Sequence, residues 1–157
     1  MFVRNAGDDD RMWKILLLTF LLGIFAVQDL RKKEISVRLL AAALAAGTAV
    51  RILSIPFSAP ELLLSLMPGA VLTVTAVFSK GRIGPGDGLV FLVTGLFLTA
   101  DRNLGLMFLS FVIGAVTAGI LLALNRKKRG EAFAFLPCVF CAQLGILAGE
   151  MAWGQKS

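Results

Sequence analysis

The sequence predicts an all-α, polytopic membrane protein: a bundle of about six transmembrane helices that forms a single domain over residues 1–157. The chain is 57% hydrophobic and only 17% charged, and its mean hydropathy is +0.83. A soluble domain of this size cannot bury so much apolar surface. The apolar residues also fall into six runs separated by short polar loops. Runs of roughly 20 residues are typical of helices that cross a bilayer.

The six apolar runs set the predicted helices in chain order. They cover residues 12–30, 35–55, 61–78, 88–100, 104–124 and 132–153. Pro68-Gly69 predicts a kink in the third run, and Pro137 predicts a break in the sixth. The fourth run is too short to cross a bilayer upright, which predicts a tilted or half-buried helix. Residues 1–11 are polar and acidic and are predicted to form a tail outside the cytoplasm.

Small and polar residues inside the runs predict contacts between helices. Small residues let helix backbones approach closely in a membrane. Gln143 in the last run is either a polar packing contact or a substrate contact, and the sequence leaves both open. The small residues expected at close contacts are Gly95, Gly105, Gly114, Ala118, Gly145 and Gly149.

The distribution of basic residues predicts the topology. Ten of the 16 lysines and arginines lie in the first, third and fifth loops, and cytoplasmic loops are enriched in such residues. Both termini are therefore predicted outside. The net charge of +6 is explained by these loops and their contact with membrane lipid, so no nucleic-acid partner is predicted. The ten residues are Arg31, Lys32, Lys33, Arg38, Lys80, Arg82, Arg126, Lys127, Lys128 and Arg129.

Two acidic residues at the cytoplasmic ends of apolar runs, Asp29 and Asp87, are the candidate catalytic pair. Asp29 ends the first run, and Asp87 lies in the stretch Gly84-Pro85-Gly86-Asp87-Gly88 before the fourth. Two runs separate them, so both face the same side. The glycines and the proline predict a sharp turn and a close approach to another element. A carboxylate at the edge of a membrane is costly, which indicates a function.

Two carboxylates can cleave a peptide bond without a metal ion or a cofactor. One takes a proton from water while the other, still protonated, polarises the carbonyl. Each aspartate also has a structural interpretation: Asp29 can pair with the basic residues that follow it, and Asp87 can cap the next helix. Three other acids are predicted to be paired or solvated at the surface, namely Glu34, Asp101 and Glu150.

The residue inventory predicts no metal and no cofactor. The chain has no histidine, which is the commonest metal ligand in proteins. Cys138 and Cys141 form a single Cys-x-x-Cys pair inside an apolar run, whereas a structural zinc site takes about four ligands. Both cysteines are therefore predicted to be small packing residues.

Three sequence features resemble the type IV prepilin peptidases, membrane aspartic endopeptidases of the Gly-x-Gly-Asp kind. The first is Asp29-Leu30-Arg31-Lys32-Lys33-Glu34-Ile35, which joins the first two runs. The second is Gly84-Pro85-Gly86-Asp87, and the third is Phe133-Ala134-Phe135-Leu136-Pro137 at the entry to the last run. The resemblance extends over about residues 15–150.

The resemblance implies a function and a location. It implies that Asp29 and Asp87 are catalytic, supported by Gly84, Pro85, Gly86 and Gly88. The substrates would be prepilins or pseudopilins, cut after a short basic leader at the cytoplasmic face of the bacterial plasma membrane.

The chain departs from the family pattern in two places. Where the family often has Pro-Asn, this sequence has Ser36-Val37. It also lacks the cysteine-rich insert of larger members that methylate the new N-terminus. It therefore resembles the short, peptidase-only form found in Flp/Tad-type pilus systems.

Two other readings of the paired acids remain open. The first is another kind of intramembrane aspartic protease, which shares the Gly-x-Gly-Asp element. Proteases of that kind resemble a pattern in which the first aspartate follows a tyrosine, whereas here Gln28 precedes Asp29. A non-enzymatic membrane subunit or a small proton or cation carrier would use the acids for ion handling. A carrier is expected to place acids near mid-membrane on several helices.

Overall fold

The computed structural model describes residues 6–32, 36–53, 59–79, 84–124 and 134–154, without the side chains of residues 6–11, 85, 153 and 154. These ranges contain six α-helices and no strand, which confirms the all-α prediction. The helices are α1 (Ala6–Lys32), α2 (Val37–Leu53), α3 (Ala59–Phe78), α4 (Pro85–Phe97), α5 (Ala100–Ala123) and α6 (Leu136–Gly154).

Within the described ranges, three segments are long and apolar enough to cross a membrane: Met12–Lys32, Ala59–Phe78 and Ala100–Ala123. Two further apolar helices are shorter, Gly86–Phe97 and Leu136–Ala152. The 13 residues of α4 extend about 20 Å, less than the roughly 30 Å hydrocarbon core, so the prediction of a short fourth helix is confirmed. Large apolar side chains are exposed along α1, α3 and α5, as expected where lipid covers them.

None of the six helices starts at the predicted residue, and the differences at α1, α4 and α6 have a clear physical reason. The α1 helix begins at Ala6, so the aspartates expected in a tail lie in a helix instead; acidic residues are favourable in the first turns of a helix. The α4 helix begins at Pro85 and the α6 helix at Leu136. The predicted break at Pro137 is therefore wrong, because this proline is the second residue of α6. Proline suits the first turn, where its missing N–H and restricted φ cost nothing.

The short α4 helix is the centre of the bundle. It packs most extensively on α3, then on α2, and also contacts α5 and α1. The α6 helix packs between α1 and α5. The core between these helices is apolar and includes Leu18, Leu22, Phe25, Phe91, Leu106 and Val139, all with almost no exposed surface.

Glycines bring α3 and α4 into backbone contact. A Cβ added to Gly88 would lie 2.5 Å from the backbone nitrogen of Thr73, and one added to Gly69 would overlap the backbone of Leu92. A Cβ on Gly95 would overlap the carbonyl oxygen of Ser65. The two antiparallel helices therefore approach at three levels, as small residues allow in membranes.

The prediction of close packing at small residues is right at some positions and wrong at others. Gly95 meets α3, and a Cβ on Gly114 would lie 3.0 Å from the ring of Phe135. Around Gly105, Gly145 and Gly149 no atom lies within 4 Å of an added Cβ. These three positions lie on helix faces that turn away from the bundle, which the spacing of small residues does not reveal.

A buried polar network joins three helices at the end of the bundle where α4 ends and α5 begins. Ser65 of α3, Thr94 of α4 and Asn103 of α5 are all completely buried. The Thr94 hydroxyl donates to Asn103 Oδ1 at 2.6 Å, and Asn103 Nδ2 donates to the Ser65 carbonyl oxygen at 2.7 Å. The Ser65 hydroxyl donates to the Gly95 carbonyl oxygen at 2.8 Å. These hydrogen bonds link α3, α4 and α5 and fix their positions along one another.

Thr94→Val is expected to lower the free energy of unfolding by about 1 kcal/mol, because it removes a buried donor and leaves Asn103 Oδ1 without its partner. Thr48→Val is the matched control: the Thr48 hydroxyl is exposed and bonds only to Leu44 of its own helix. Denaturant unfolding in micelles measures both changes. Equal losses in the two variants would contradict a stabilising role for the network.

Candidate active site

Asp29 is held at the end of α1 by the start of α6. Its side chain is buried, with 9% of its surface exposed. The backbone N–H of Leu136, the first residue of α6, donates to Asp29 Oδ2 at 3.0 Å. A carboxylate at a helix N-terminus satisfies one of the N–H groups that have no partner within the helix. Asp29 thus joins the first and last helices of the bundle.

Asp87 lies in the first turn of α4. Its backbone N–H donates to the carbonyl oxygen of Gly84 at 3.1 Å. Its carboxyl group turns back over the same residue, since a Cβ on Gly84 would lie 3.4 Å from Asp87 Oδ2. The partly buried carboxyl group lies within range of an electrostatic interaction with Asp29. The fold therefore brings the two predicted aspartates together at one end of the bundle.

The residues around Asp87 shape the start of α4 differently from the prediction. The turn expected over Gly84-Pro85-Gly86-Asp87-Gly88 is largely helix, with proline as its first residue. Gly84 has φ −64° and ψ 123°, an extended conformation open to any residue. The close approach predicted for this stretch does occur, at Gly88 against Thr73. That contact sets the position of Asp87 relative to α3.

Gln28 has a structural role in this region that the sequence did not predict. Its Oε1 accepts the backbone N–H of Ser36 at 3.1 Å, which joins the end of α1 to the residue before α2. Ser36 is the first of the two positions where the family pattern often has Pro-Asn. Proline has no N–H to donate, so the departure from the pattern supplies the donor of this hydrogen bond.

The two cysteines of α6 differ in their exposure. Cys138 is buried beside Asp29 and near the hydroxyl of Thr117, whereas Cys141 is exposed, and both are free thiols. No group of three or more His, Cys, Asp or Glu side chains that could hold a metal ion occurs within the described ranges. The local arrangement offers two carboxyl groups for acid–base chemistry.

The other singled-out residues lie away from the aspartates or outside the described ranges. Gln143 is buried and its Nε2 lies 3.4 Å from the hydroxyl of Thr19, ten residues and about 15 Å along α1 from Asp29. This contact fits the packing alternative. Glu150 pairs with Arg102 at 2.8 Å. The singled-out positions outside the described residues are Lys33, Glu34, Ile35, Lys80, Arg82, Phe133 and residues 126–129.

An open apolar groove of about 820 Å³ runs along the outer face of α1. It extends from Leu16 to Lys32, and Phe140 of α6 forms one of its sides. Gln28 and Arg31 line the end that lies one turn from Asp29. The groove is long enough to receive an apolar segment across most of a bilayer.

Comparison with known protein families shows to which family the chain belongs. The family model of the Type IV leader peptidase family matches residues 16–119, about two thirds of the chain. The chain belongs to this family. Searches of curated proteins and of solved structures found no match. The match covers both aspartates and ends within α5, so α6 and its contact with Asp29 lie beyond it.

Membership in the Type IV leader peptidase family confirms the resemblance seen in the sequence. Together with the three helices able to cross a membrane, it identifies the protein as a membrane peptidase of the leader-peptidase type.

Proposed function

We propose that this protein is an aspartic endopeptidase that removes the leader of prepilin or pseudopilin substrates at the cytoplasmic face of the bacterial plasma membrane. Asp29 and Asp87 activate the water that attacks the scissile bond. The observation that carries the proposal is the proximity of these two carboxyl groups in a chain of the leader peptidase family.

The chemistry of the pair requires one shared proton. Two like charges side by side are costly, so the proposed reaction uses the pair with a single proton between its members. The ionised member takes a proton from water, and the protonated member donates to the carbonyl oxygen of the substrate. Gly88 and the start of α6 hold the two side chains in place. The two residues need no metal ion for this reaction.

The burial pattern favours the peptidase over a carrier. Apart from Asp29, the buried polar side chains of the described helices are neutral: Ser65, Thr94, Asn103, Ser110 and Gln143. A path for protons or cations across the membrane needs further ionisable groups along its length. Both aspartates lie instead at helix ends on one side of the bundle, where a loop of a substrate can reach them.

Co-expression with candidate prepilins tests the proposal. The expected result is a smaller pilin product on gels, with a new N-terminus at the leader boundary when sequenced by mass spectrometry. Wild-type chain that accumulates in membranes and cleaves none of the candidates would count against the prepilin assignment. Proton or cation flux in proteoliposomes without cleavage would favour the carrier.

The topology is expected to place both chain termini outside the cytoplasm, because basic residues concentrate in alternate loops. Reporter fusions after Ser157 and within residues 126–129 should report opposite sides of the membrane, with the second one cytoplasmic. A fusion within residues 54–58 serves as the control and should agree with Ser157. A cytoplasmic signal at Ser157 would contradict the six-span topology.

A further inference from the structure

We infer that the two aspartates have fixed and different roles: Asp29 is the ionised member that takes the proton from water, and Asp87 is the protonated member that donates to the scissile carbonyl. The backbone N–H of Leu136 at the start of α6 is the positioning group that establishes this difference. This inference rests on the proposed peptidase function.

The first observation is the hydrogen bond that Asp29 accepts. The Leu136 N–H donates to its Oδ2 at 3.0 Å in a site where both residues are buried. A donor directed at a carboxylate stabilises the charged form. The donor also belongs to the N-terminal turn of α6, whose free N–H groups carry partial positive charge. Asp29 is therefore the favoured position for the single negative charge of the pair.

The second observation is the absence of a comparable donor at Asp87. Within the described ranges, no side-chain or backbone donor bonds to the carboxyl group of Asp87, although the group is partly buried. Once Asp29 is charged, a second charge beside it is costly. The proton shared by the pair therefore resides on Asp87.

The helix dipoles of α1 and α4 act in the opposite direction and must be weighed. Asp87 lies in the first turn of α4, where negative charge is favoured, and Asp29 lies near the end of α1, where it is disfavoured. A direct hydrogen bond to a charged group is stronger than either of these longer-range effects. The start of α6 also offsets the end of α1 at Asp29. The Leu136 contact consequently decides the outcome.

Among the described residues, the other titratable groups near the pair do not reverse this order. On α1, Arg31 and Lys32 are exposed and follow Asp29. On α6, the thiol of Cys138 lies beside Asp29. On α2, Arg38 is exposed. The cations favour charge on Asp29 and the thiol is neutral at ordinary pH.

The two roles define balanced proton transfers. Water attacks the carbonyl carbon while its proton passes to Asp29 and the proton of Asp87 passes to the carbonyl oxygen, which gives a gem-diol. Asp29 then donates its proton to the amide nitrogen as the carbon–nitrogen bond breaks. Asp87 recovers a proton from one hydroxyl as the carbonyl reforms, so both aspartates return to their initial states.

The test compares Leu136→Pro with Leu136→Ala. Both variants lose the leucine side chain, but only proline also loses the N–H, and proline fits the first position of a helix. The acidic limb of the pH–rate profile for prepilin cleavage is expected to lie about one pH unit higher in Leu136→Pro than in Leu136→Ala. The alkaline limb, which reports loss of the proton from Asp87, should be the same in both.

Acidic limbs at the same pH in the two variants, or alkaline limbs at different pH, would overturn the inference. Neither result would affect the proposed function as long as the wild-type protein cleaves prepilin.

Chemical labelling of the wild-type chain gives a test that needs no variant. An epoxide alkylates ionised carboxylates and a diazo ester reacts with protonated carboxyl groups. Peptide mapping should find the epoxide adduct on Asp29 and the diazo adduct on Asp87. The reverse pattern would refute the division of roles.

Discussion

Asp29→Asn and Asp87→Asn are each expected to abolish prepilin cleavage. Either change removes one of the two proton-transfer groups, and such groups typically contribute 10²- to 10⁴-fold to a rate. The asparagine cannot take a proton from water or donate an acidic one to the carbonyl. Cleavage in membranes containing equal amounts of each variant, followed over time on gels, measures the loss.

Asparagine is the appropriate substitution because it separates catalysis from structure. At position 29 its amide oxygen can still accept the Leu136 N–H, whereas Asp29→Ala would leave this buried donor unpaired at a cost of about 1–3 kcal/mol. Asp101→Asn is a control at an exposed carboxylate and should retain activity, as should Glu34→Gln. Normal cleavage by either the Asp29→Asn or the Asp87→Asn variant would disprove the catalytic pair.

Gly69→Ala and Gly88→Ala are expected to destabilise the protein strongly. In each case the added methyl group would overlap backbone atoms of the facing helix, Leu92 for the first and Thr73 for the second. Backbone cannot rotate away as a side chain can, so α3 and α4 must separate. Overpacking of this kind costs about 1–3 kcal/mol and sometimes more. Lower accumulation in membranes and a lower unfolding temperature in micelles are the expected readouts.

Gly105→Ala is the matched control, since nothing lies within 4 Å of its added methyl group. Alanine has the higher helix propensity by about 1 kcal/mol, so this variant should be as stable as the wild type or more so. If Gly69→Ala and Gly105→Ala have the same unfolding temperature, the close contact between α3 and α4 is wrong.

The local pattern of the sequence was sufficient to predict the all-α class and the short fourth helix, and to select the two candidate aspartates. Apolar runs follow directly from what a bilayer requires of each segment, independently of its neighbours. The two aspartates were recognisable because carboxylates beside such runs are costly. The predicted break at Pro137 failed because a proline in a run signals either a kink or a helix start, and only neighbouring backbone decides which.

Only the tertiary structure decided which of the small residues lie at contacts between helices. Gly69 and Gly105 are both glycines in similar apolar stretches of sequence. A Cβ added to Gly69 would overlap the backbone of the facing helix, whereas one added to Gly105 has nothing within 4 Å. The difference depends on which helix face turns toward α4. Likewise, nothing in the spacing of the chain brings the Leu136 N–H to Asp29. A backbone donor carries no side-chain signature, so it becomes visible only when α1 and α6 pack together.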